Sequence, residues 1–246
     1  IDLFNSIDDN MFATANIGIV DSGVKVDHPD LVGFSMGEVD DAGHGTMVAG
    51  AAAARGNGVG SVGAMPFHAH IHSFKVNRPG SKGGKPSDIS NGILAAAYAN
   101  MDVINVSWSG YSTGSYNPAI QIAVNEGSFV TGSAGNFGRR VSTNATIDGS
   151  ISVGALNGTN PSVAGYSNYG PGVEIYPPGT FYTTTISGGY RLASGTSFAA
   201  PQVGGVALMM KAYCRARGAD IAPARIEQLL KQTAVAMNGR RGDYQK

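Results

Sequence analysis

The amino-acid sequence predicts a three-layer α/β fold, in which a mainly parallel β-sheet is flanked by helices on both faces. Short apolar runs bounded by turn residues alternate with segments of helical periodicity, and this alternation is typical of a parallel sheet. The chain has 246 residues, of which 42% are hydrophobic, enough to bury a sizeable core. No linker, repeat or low-complexity segment interrupts the sequence, so we expect residues 1–246 to form a single domain.

The predicted elements follow one another in order along the chain. Short β-branched runs predict buried strands over 17–20, 70–76, 102–108, 127–134 and 150–156. Helical patterns predict helices over 45–54, 87–99, 118–125, 197–217 and 223–234, and Ser87 and Pro118 are suitable residues for a first turn. In open parallel sheets the active site lies outside the carboxyl ends of the strands, and Asp21 follows the first predicted strand directly.

Charge and composition exclude several classes of partner. The formal net charge is +0 and the isoelectric point is near 7.1, which gives no indication of a nucleic-acid or anionic-membrane partner. No apolar run approaches the ~20 residues needed to cross a bilayer.

Cys214 is the only cysteine, so the chain forms no intrachain disulfide. The chain begins at Ile1 without a charged and apolar leader, which we interpret as the start of a processed product.

Three short motifs supply an acid, a base and a nucleophile, in that order. Asp21 lies in GIVDSG, His44 in GHGT and Ser197 in SGTSFAAP. A serine hydroxyl is a poor nucleophile at neutral pH, so an imidazole must accept its proton and a carboxylate must orient that imidazole. Alone, Asp21 would be interpreted as a turn residue and Ser197 as a capping residue. Their order along the chain is that of subtilisin and differs from that of chymotrypsin and the α/β-hydrolases.

The chain resembles the subtilisin-like serine proteases from about Asn16 to Val235. Besides the three motifs, HPDL, VINVSWSG, SAGN and YSNYGPGVEIYPPGT are similar to landmarks of that family and occur in its order. The resemblance implies that Asn136 supplies the side-chain donor of an oxyanion hole, with the backbone N–H of Ser197 as the second donor. It also implies secretion and an N-terminal pro-region that assists folding.

Substrate binding in this family resembles the addition of a β-strand, in which an extended peptide pairs with exposed segments of the enzyme. Where relatives commonly carry glycine, this chain has Ser109, whose side chain would narrow the primary specificity pocket or change its polarity. No acidic residue maps to the floor of that pocket, so a strict basic preference is not indicated. The residues that the resemblance assigns to substrate binding are Ser107, Trp108, Ser109, Gly110, Gly83, Gly84, Lys85, Ser133, Ala134 and Gly135.

Metal sites are weaker hypotheses than the catalytic residues. Asp30 and Asn57 match positions that bind a structural calcium ion in many relatives, and such a site would need about 6–8 oxygen ligands. The short segment before Asp21 leaves one of those ligands without a counterpart. His68, His70 and His72 alternate along one strand, but no carboxylate or cysteine nearby completes a zinc site. We assign no metal-binding residue and expect no cofactor to be required for catalysis.

Two other motifs are rejected on context. Gly110–Gly114 matches the nucleophile elbow of α/β-hydrolases, but that mechanism needs a histidine after Ser112 and the last histidine is His72. Gly58–Gly63 matches the dinucleotide fingerprint, but it follows a predicted helix and precedes a strand, the reverse of the required order.

The sequence therefore predicts a serine endopeptidase that forms an acyl-enzyme on Ser197 and cleaves extended peptide or protein substrates. Two alternatives stay open. The acyl group could be transferred to an amine, which would make the protein a peptide ligase or macrocyclase. The chain could also be an inactive binding module that retains the fold, although the presence of all three motifs and Asn136 argues against it.

Overall fold

The computed structural model describes residues 12–31, 35–78, 84–108, 114–141, 147–158 and 160–237. Within these residues the main feature is a six-stranded sheet whose strand pairs are all parallel. Its strands are β1 (Asn16–Asp21), β2 (Ser35–Gly37), β3 (His70–Lys75), β4 (Val103–Val106), β5 (Phe129–Ser133) and β6 (Ser150–Val153). They lie in the order β2-β3-β1-β4-β5-β6.

Two antiparallel strand pairs accompany the sheet. The first joins β7 (Leu156–Asn157) to β8 (Asn160–Val163), and the second joins β9 (Thr180–Thr184) to β10 (Tyr190–Ser194). The β9–β10 hairpin is attached to the first helix by side-chain hydrogen bonds. Thr183 and Thr184 donate to the carbonyl oxygens of Met47 and Thr46, at 2.6 and 2.7 Å.

The helices are α1 (His44–Ala53), α2 (Pro86–Tyr98), α3 (Asn117–Asn125), α4 (Thr196–Arg215) and α5 (Pro223–Thr233). Proline occupies one of the first two positions of α2, α3 and α5, where its missing N–H has no intrahelical partner to lose. In helix α4 the proline, Pro201, lies inside the helix and not at its start, which affects the hydrogen bonding of the first turn.

The sheet separates two hydrophobic cores because successive strand residues point to opposite faces. In β1, Ile17 and Ile19 are fully buried in the core shared with α1 and α4, whereas Val20 is buried in the core shared with α2 and α3. Burying each of these side chains contributes roughly 1.5–3 kcal/mol. This arrangement confirms the predicted α/β fold with helices on both faces of a parallel sheet.

The predicted helices and strands are confirmed, with their ends shifted by a few residues at most. Strand β2 and the two antiparallel pairs were not predicted from the sequence. Strand β2 has only three residues, and β10 reads YRLAS with Arg191 and Leu192 exposed. Neither gives the alternation of apolar and polar residues that identifies a half-buried strand.

The strand order predicts a ligand-binding crevice at the carboxyl edge of the sheet. The chain leaves β1 toward β2 and β3 on one side, and later adds β4, β5 and β6 on the other side. Ligands of open α/β sheets bind where the order reverses in this way. The carboxyl ends of β1, β4 and β5 are adjacent there, and they lead into Asp21, Ser107 and Asn136.

Candidate active site

Asp21 and His44 form a hydrogen-bonded pair at this edge of the sheet. Asp21 ends β1 and is fully buried, and His44 is the first residue of α1. The imidazole Nδ1 lies 2.8 Å from Asp21 Oδ1, which also accepts the Ser22 backbone N–H at 2.7 Å. A carboxylate oxygen only accepts, so Nδ1 carries the proton and Nε2 of the neutral ring is the free base.

The surroundings of His44 set its basicity. Burial lowers the pKa of the imidazole, but the charge of Asp21, its hydrogen bond and the charge of Asp40 outweigh burial and raise that pKa above 6.5. The ring lies near two aromatic side chains, 6.1 Å from the centroid of Trp108 and 5.7 Å from that of Phe198. The Trp108 indole N–H donates to the Val20 carbonyl oxygen at 3.0 Å, which fixes that ring beside His44.

Ser197 lies in the first turn of α4, directly before Phe198. Its hydroxyl donates to the Ser107 carbonyl oxygen at 3.3 Å, and the Ser107 hydroxyl donates to the Ser197 carbonyl oxygen at 2.9 Å. Proline at 201 has no N–H, so the carbonyl of Ser197, four residues earlier, loses its helical donor. Ser107, at the end of β4, supplies the missing hydrogen bond and so attaches the start of α4 to the sheet.

Asn136 follows β5 and faces the start of α4. Its Oδ1 accepts two hydrogen bonds from Thr196, one from the backbone N–H and one from the hydroxyl, both at 2.9 Å. These bonds fix the amide, so that Nδ2 is the end directed away from Thr196. A Cβ at Gly195 would lie 3.3 Å from Nδ2, and glycine leaves that space open. The N–H of Ser197 is among the first-turn donors that an α-helix leaves without an intrahelical acceptor.

Hydrogen bonds connect the end of β5 to the segment after β4, and the segment after β5 to the start of α4. The Ser133 hydroxyl donates to the Trp108 carbonyl oxygen at 3.3 Å, and the Gly135 N–H donates to the Thr196 hydroxyl at 3.2 Å. Gly135 has φ +104°, and a Cβ there would meet Asn168 Nδ2 at 2.6 Å, so a side chain does not fit. The sequence-predicted residues Ser107, Trp108, Ser133, Ala134 and Gly135 therefore lie together beside Ser197.

The remaining predicted substrate-binding residues lie partly outside this group. Gly84 forms an antiparallel bridge with Asn77, and Lys85 is an exposed residue in extended conformation that caps α2. Ser109, Gly110 and Gly83 lie outside the described residues, as does Ser112 of the rejected elbow motif. Gly58–Gly63 forms a loop between α1 and β3, as the sequence context predicted.

Asp30 and Asn57 come together, but not as ligands of a shared ion. Asn57 Nδ2 donates to Asp30 Oδ1 at 3.0 Å, and its own Oδ1 accepts the Val59 N–H at 3.1 Å, which fixes the direction of the amide. The other Asp30 oxygen accepts the Ser61 N–H at 3.0 Å, and the Tyr190 hydroxyl also bonds to this carboxylate. Protein donors thus occupy the oxygens that a calcium ion would use, and the arrangement does not fit calcium.

The three alternating histidines have separate partners. Within the described ranges, no cluster of three or more His, Cys, Asp or Glu side chains is arranged to hold a metal ion. The imidazoles of His68, His70 and His72 bond respectively to Arg55, the Ala13 carbonyl oxygen and Asn16 Oδ1. Each of these side chains is therefore accounted for by its own hydrogen bond.

A polar group that the sequence motifs did not predict lies behind the Asp21–His44 pair. Asp40 is buried, and its carboxylate accepts hydrogen bonds from Ser22 and Thr46 as well as from two backbone N–H groups of the turn before α1. A signal was present, because an aspartate shortly before a helix without a capping side chain is a typical capping residue.

Comparison with known proteins identifies relatives of the whole described fold. Residues 13–245 match the model of the subtilase family. The chain is 37% identical over 234 residues to the thermostable alkaline protease of Halalkalibacterium halodurans, covering 89% of this chain and 62% of that protein. It is 37% identical over 216 residues to subtilisin E of Bacillus subtilis, covering 80% of this chain and 55% of that protein. The chain thus spans about three fifths of the length of these relatives.

Solved structures give the same result for the fold. A cold-adapted subtilisin-like serine proteinase superposes with a TM-score of 0.73 at 26% identity, covering 91% of this chain and 83% of that one. The nisin leader peptidase of Lactococcus lactis superposes with a TM-score of 0.76 at 23% identity, covering 92% and 84%, which shows likeness of fold. Among the described helices, none combines the length and apolar character needed to span a membrane.

Proposed function

The chain belongs to the subtilase family, and from that premise we propose that it is a serine endopeptidase. The observation that carries the proposal is the buried Asp21 carboxylate held 2.8 Å from Nδ1 of His44, beside the helix start that presents Ser197. Nucleophile and base belong to different helices and the acid to a strand, and their meeting at one edge of the sheet supports the proposal. We assign the role of each residue by analogy with that family.

In the proposed acylation step, Ser197 attacks the scissile carbonyl carbon of a peptide. Its hydroxyl leaves the Ser107 carbonyl oxygen and turns toward Nε2 of His44, which accepts the proton as the C–O bond forms. Asp21 keeps the imidazole in the tautomer with the proton on Nδ1 and stabilises the imidazolium. The imidazolium then protonates the leaving amine, the C–N bond breaks and the acyl-enzyme remains.

Negative charge develops on the carbonyl oxygen during this step. Asn136 Nδ2 and the backbone N–H of Ser197 are the proposed donors to that oxygen. Because Thr196 already holds the Asn136 amide by its oxygen, the amide needs little reorganisation when the charge appears, and such preorganisation is usually the largest electrostatic contribution. The start of α4 also favours negative charge through the helix dipole.

Water attacks the acyl-enzyme in the proposed second step. His44 removes a proton from that water, the ester bond to Ser197 breaks, and the proton returns to the serine oxygen. A free amine would follow the same route and yield a new peptide bond, as in a ligase. We propose hydrolysis as the main outcome because the two relatives named above are described as a protease and a subtilisin.

The proposed substrate is an extended peptide or protein segment. The backbone of Ser107 and Trp108, directly after β4, and the segment around Gly84 and Lys85 would pair with it as neighbouring strands. Ser133, Ala134 and Gly135 would form one wall of the pocket for the residue before the cut bond. Secretion, a pro-region and a single domain over residues 1–246 are further proposals that rest on family membership.

We also propose that no calcium ion is needed at Asp30 and Asn57. Hydrogen bonds from Asn57, Ser61 and Tyr190 stabilise the buried carboxylate without an ion, and they attach the loop over 56–63 to Asp30. Catalysis uses no cofactor in this proposal, since proton transfer and charge stabilisation are supplied by side chains and backbone.

Cleavage of an unfolded protein substrate tests the proposed function. The native chain should release peptides with new amino termini, and Ser197→Ala should lose nearly all of this activity while folding normally. Ser112→Ala is the matched control and should retain activity. Loss of activity in Ser112→Ala but not in Ser197→Ala would contradict the assignment. With a free amine added, ligated products in excess over hydrolysed ones would instead favour the acyl-transfer alternative.

A further inference from the structure

A buried carboxylate without a described cationic partner lies just before the base. Asp40 is 7% exposed, and each of its oxygens accepts more than one hydrogen bond from a neutral donor. Oδ1 accepts from the Ser22 hydroxyl at 2.8 Å and from the N–H groups of Ala42 and Gly43 at 3.0 and 2.7 Å. Oδ2 accepts from the N–H and the hydroxyl of Thr46 at 2.9 and 2.7 Å.

Helix α1 depends on Asp40 for its first turn. The residue at the N-cap is Gly43, in a left-handed conformation with φ 87°, and it has no side chain to bond to the free N–H groups. Asp40 reaches across the turn and accepts from Gly43 and Thr46 on either side of His44. It therefore fixes the position from which the imidazole projects.

The same carboxylate is connected to Asp21. Ser22 lies between the two aspartates: its N–H donates to Asp21 Oδ1 and its hydroxyl donates to Asp40 Oδ1. The Ser22 hydroxyl also accepts the Gly45 N–H at 2.9 Å, and Gly45 has no room for a Cβ because the Gly23 carbonyl oxygen would lie 2.1 Å from it. The end of β1 and the start of α1 are thus joined side by side.

We propose that Asp40 is a positioning residue for the base, which holds the start of α1 against the end of β1 and so keeps His44 within hydrogen-bond distance of Asp21. This inference rests on the proposed function of His44. It assigns a role to a residue that touches neither the substrate nor the reacting atoms.

Asp40 acts on His44 through charge as well as through geometry. The charge of Asp40 contributes to the raised pKa of the imidazole, after the larger contribution of Asp21. The other side chains packed near the ring, Trp108 and Phe198, are uncharged. The charged groups further out are compensated in pairs, Lys75 with Asp41 and Lys25 with Asp27, both at 2.8 Å.

Asp40→Asn and Asp41→Asn provide a matched test. Both remove one carboxylate at adjacent positions, but Asp41 lies on the surface, bonded to Lys75 and Asn77, and makes none of the bonds to α1. In Asp40→Asn an amide NH₂ faces donors that need an acceptor, so we expect His44 to shift. The expected kcat is about tenfold lower with KM changed less than about twofold, because misplacement affects the chemical step more than substrate binding.

The pH profile separates this role from a merely structural one. In Asp40→Asn the acidic limb of kcat/KM should move to lower pH, since one negative charge near His44 is gone, whereas Asp41→Asn should keep both kcat and the limb. Ser22→Ala should lower kcat without a comparable movement of the limb, because the Asp40 charge remains. Melting curves identify a temperature at which all variants are folded. If Asp40→Asn does not fold, two other variants test the positioning role. Ser22→Ala should still lower kcat. Asp40→Glu keeps the negative charge and should keep the acidic limb in place.

Two results would overturn the inference. One is an Asp40→Asn enzyme with the kcat and pH limb of the native protein. The other is an Asp41→Asn enzyme that shows the same changes as Asp40→Asn. That result would mean that the loss of any nearby negative charge causes the effect. Failure of the proposed function is distinguishable from both, because the native protein would then show no Ser197-dependent cleavage at all.

Discussion

Ser107 and Ser197 hydrogen-bond to each other in both directions, hydroxyl to carbonyl oxygen, at 2.9 and 3.3 Å. The first of these bonds repairs the gap that Pro201 leaves in helix α4. The second holds the proposed nucleophile at rest on the end of β4. Ser107 therefore stabilises the start of the helix that carries Ser197, and its carbonyl oxygen accepts the Ser197 hydroxyl when no substrate is bound.

Ser107→Ala should destabilise the protein as well as slow it. The half-buried Ser197 carbonyl would be left without its donor, at a cost of about 1 kcal/mol, the low end of the range for a buried unpaired group. Ser152→Ala is the control, since Ser152 is equally buried and its hydroxyl has no hydrogen-bond partner within the described residues. Denaturant unfolding should show a lower free energy of unfolding for Ser107→Ala only. Equal loss in both variants would contradict the role of the Ser107 hydroxyl.

Activity should depend on the ionisation of His44, whose pKa is raised from the usual value of an imidazole. Burial lowers the pKa of this group, but Asp21 and Asp40 raise it further, so it lies above 6.5. The base must be neutral, so kcat/KM should fall as the pH drops through this raised pKa and should be restored as the pH rises. A pH–rate profile with its acidic limb at or below 6.5 would contradict the electrostatic account.

Asn136→Ala should reduce kcat by about 10²–10³-fold with little change in KM, the loss that removal of one side-chain oxyanion donor causes in subtilisin. The hydrogen bond forms mainly in the transition state, so substrate binding is nearly unaffected. Thr196→Val removes one of the two bonds that hold the Asn136 oxygen and should cause a smaller loss of kcat. Steady-state kinetics on a peptide substrate measure both. A large rise in KM with unchanged kcat would assign Asn136 to ground-state binding.

Melting should be independent of calcium. Since Asn57 and Ser61 donate to both oxygens of Asp30, an added ion has no vacant ligand set there and should not stabilise the folded state by mass action. The Tm should therefore be the same in chelator and in millimolar calcium. Asn57→Ala should lower the Tm equally in both conditions, because it removes a donor to a buried carboxylate. A calcium-dependent rise in Tm that Asp30→Asn abolishes would contradict this prediction.

The sequence was sufficient for those parts of the site that short motifs carry. Asp21, His44 and Ser197 each lie at the end of a strand or the start of a helix, and the order of strand and helix patterns along the chain was enough to bring them to one edge of the sheet. The same holds for Asn136 after β5. In each of these positions the local pattern and the overall fold agree.

The parts that the sequence did not reveal depend on pairings between distant residues. Nothing in the pattern around Asp40 shows that its carboxylate meets Ser22, 18 residues earlier. The direction of the Asn57 amide could not be predicted either, because it depends on the Val59 N–H and on Asp30. With this direction, Asn57 is a hydrogen-bond donor to Asp30 and not the calcium ligand that the sequence suggested. Polar networks of this kind can be recognised only in the folded structure.

Covalent labelling with a fluorophosphonate is the most direct test of the central claim, that His44 activates Ser197 for acyl transfer. The reagent phosphonylates a serine only when a base removes its proton, and peptide mass mapping locates the adduct. The native protein should carry one adduct, on Ser197, which should be absent in Ser197→Ala and form far more slowly in His44→Ala. A folded native protein that forms no adduct, or one whose adduct persists in Ser197→Ala, would contradict the account.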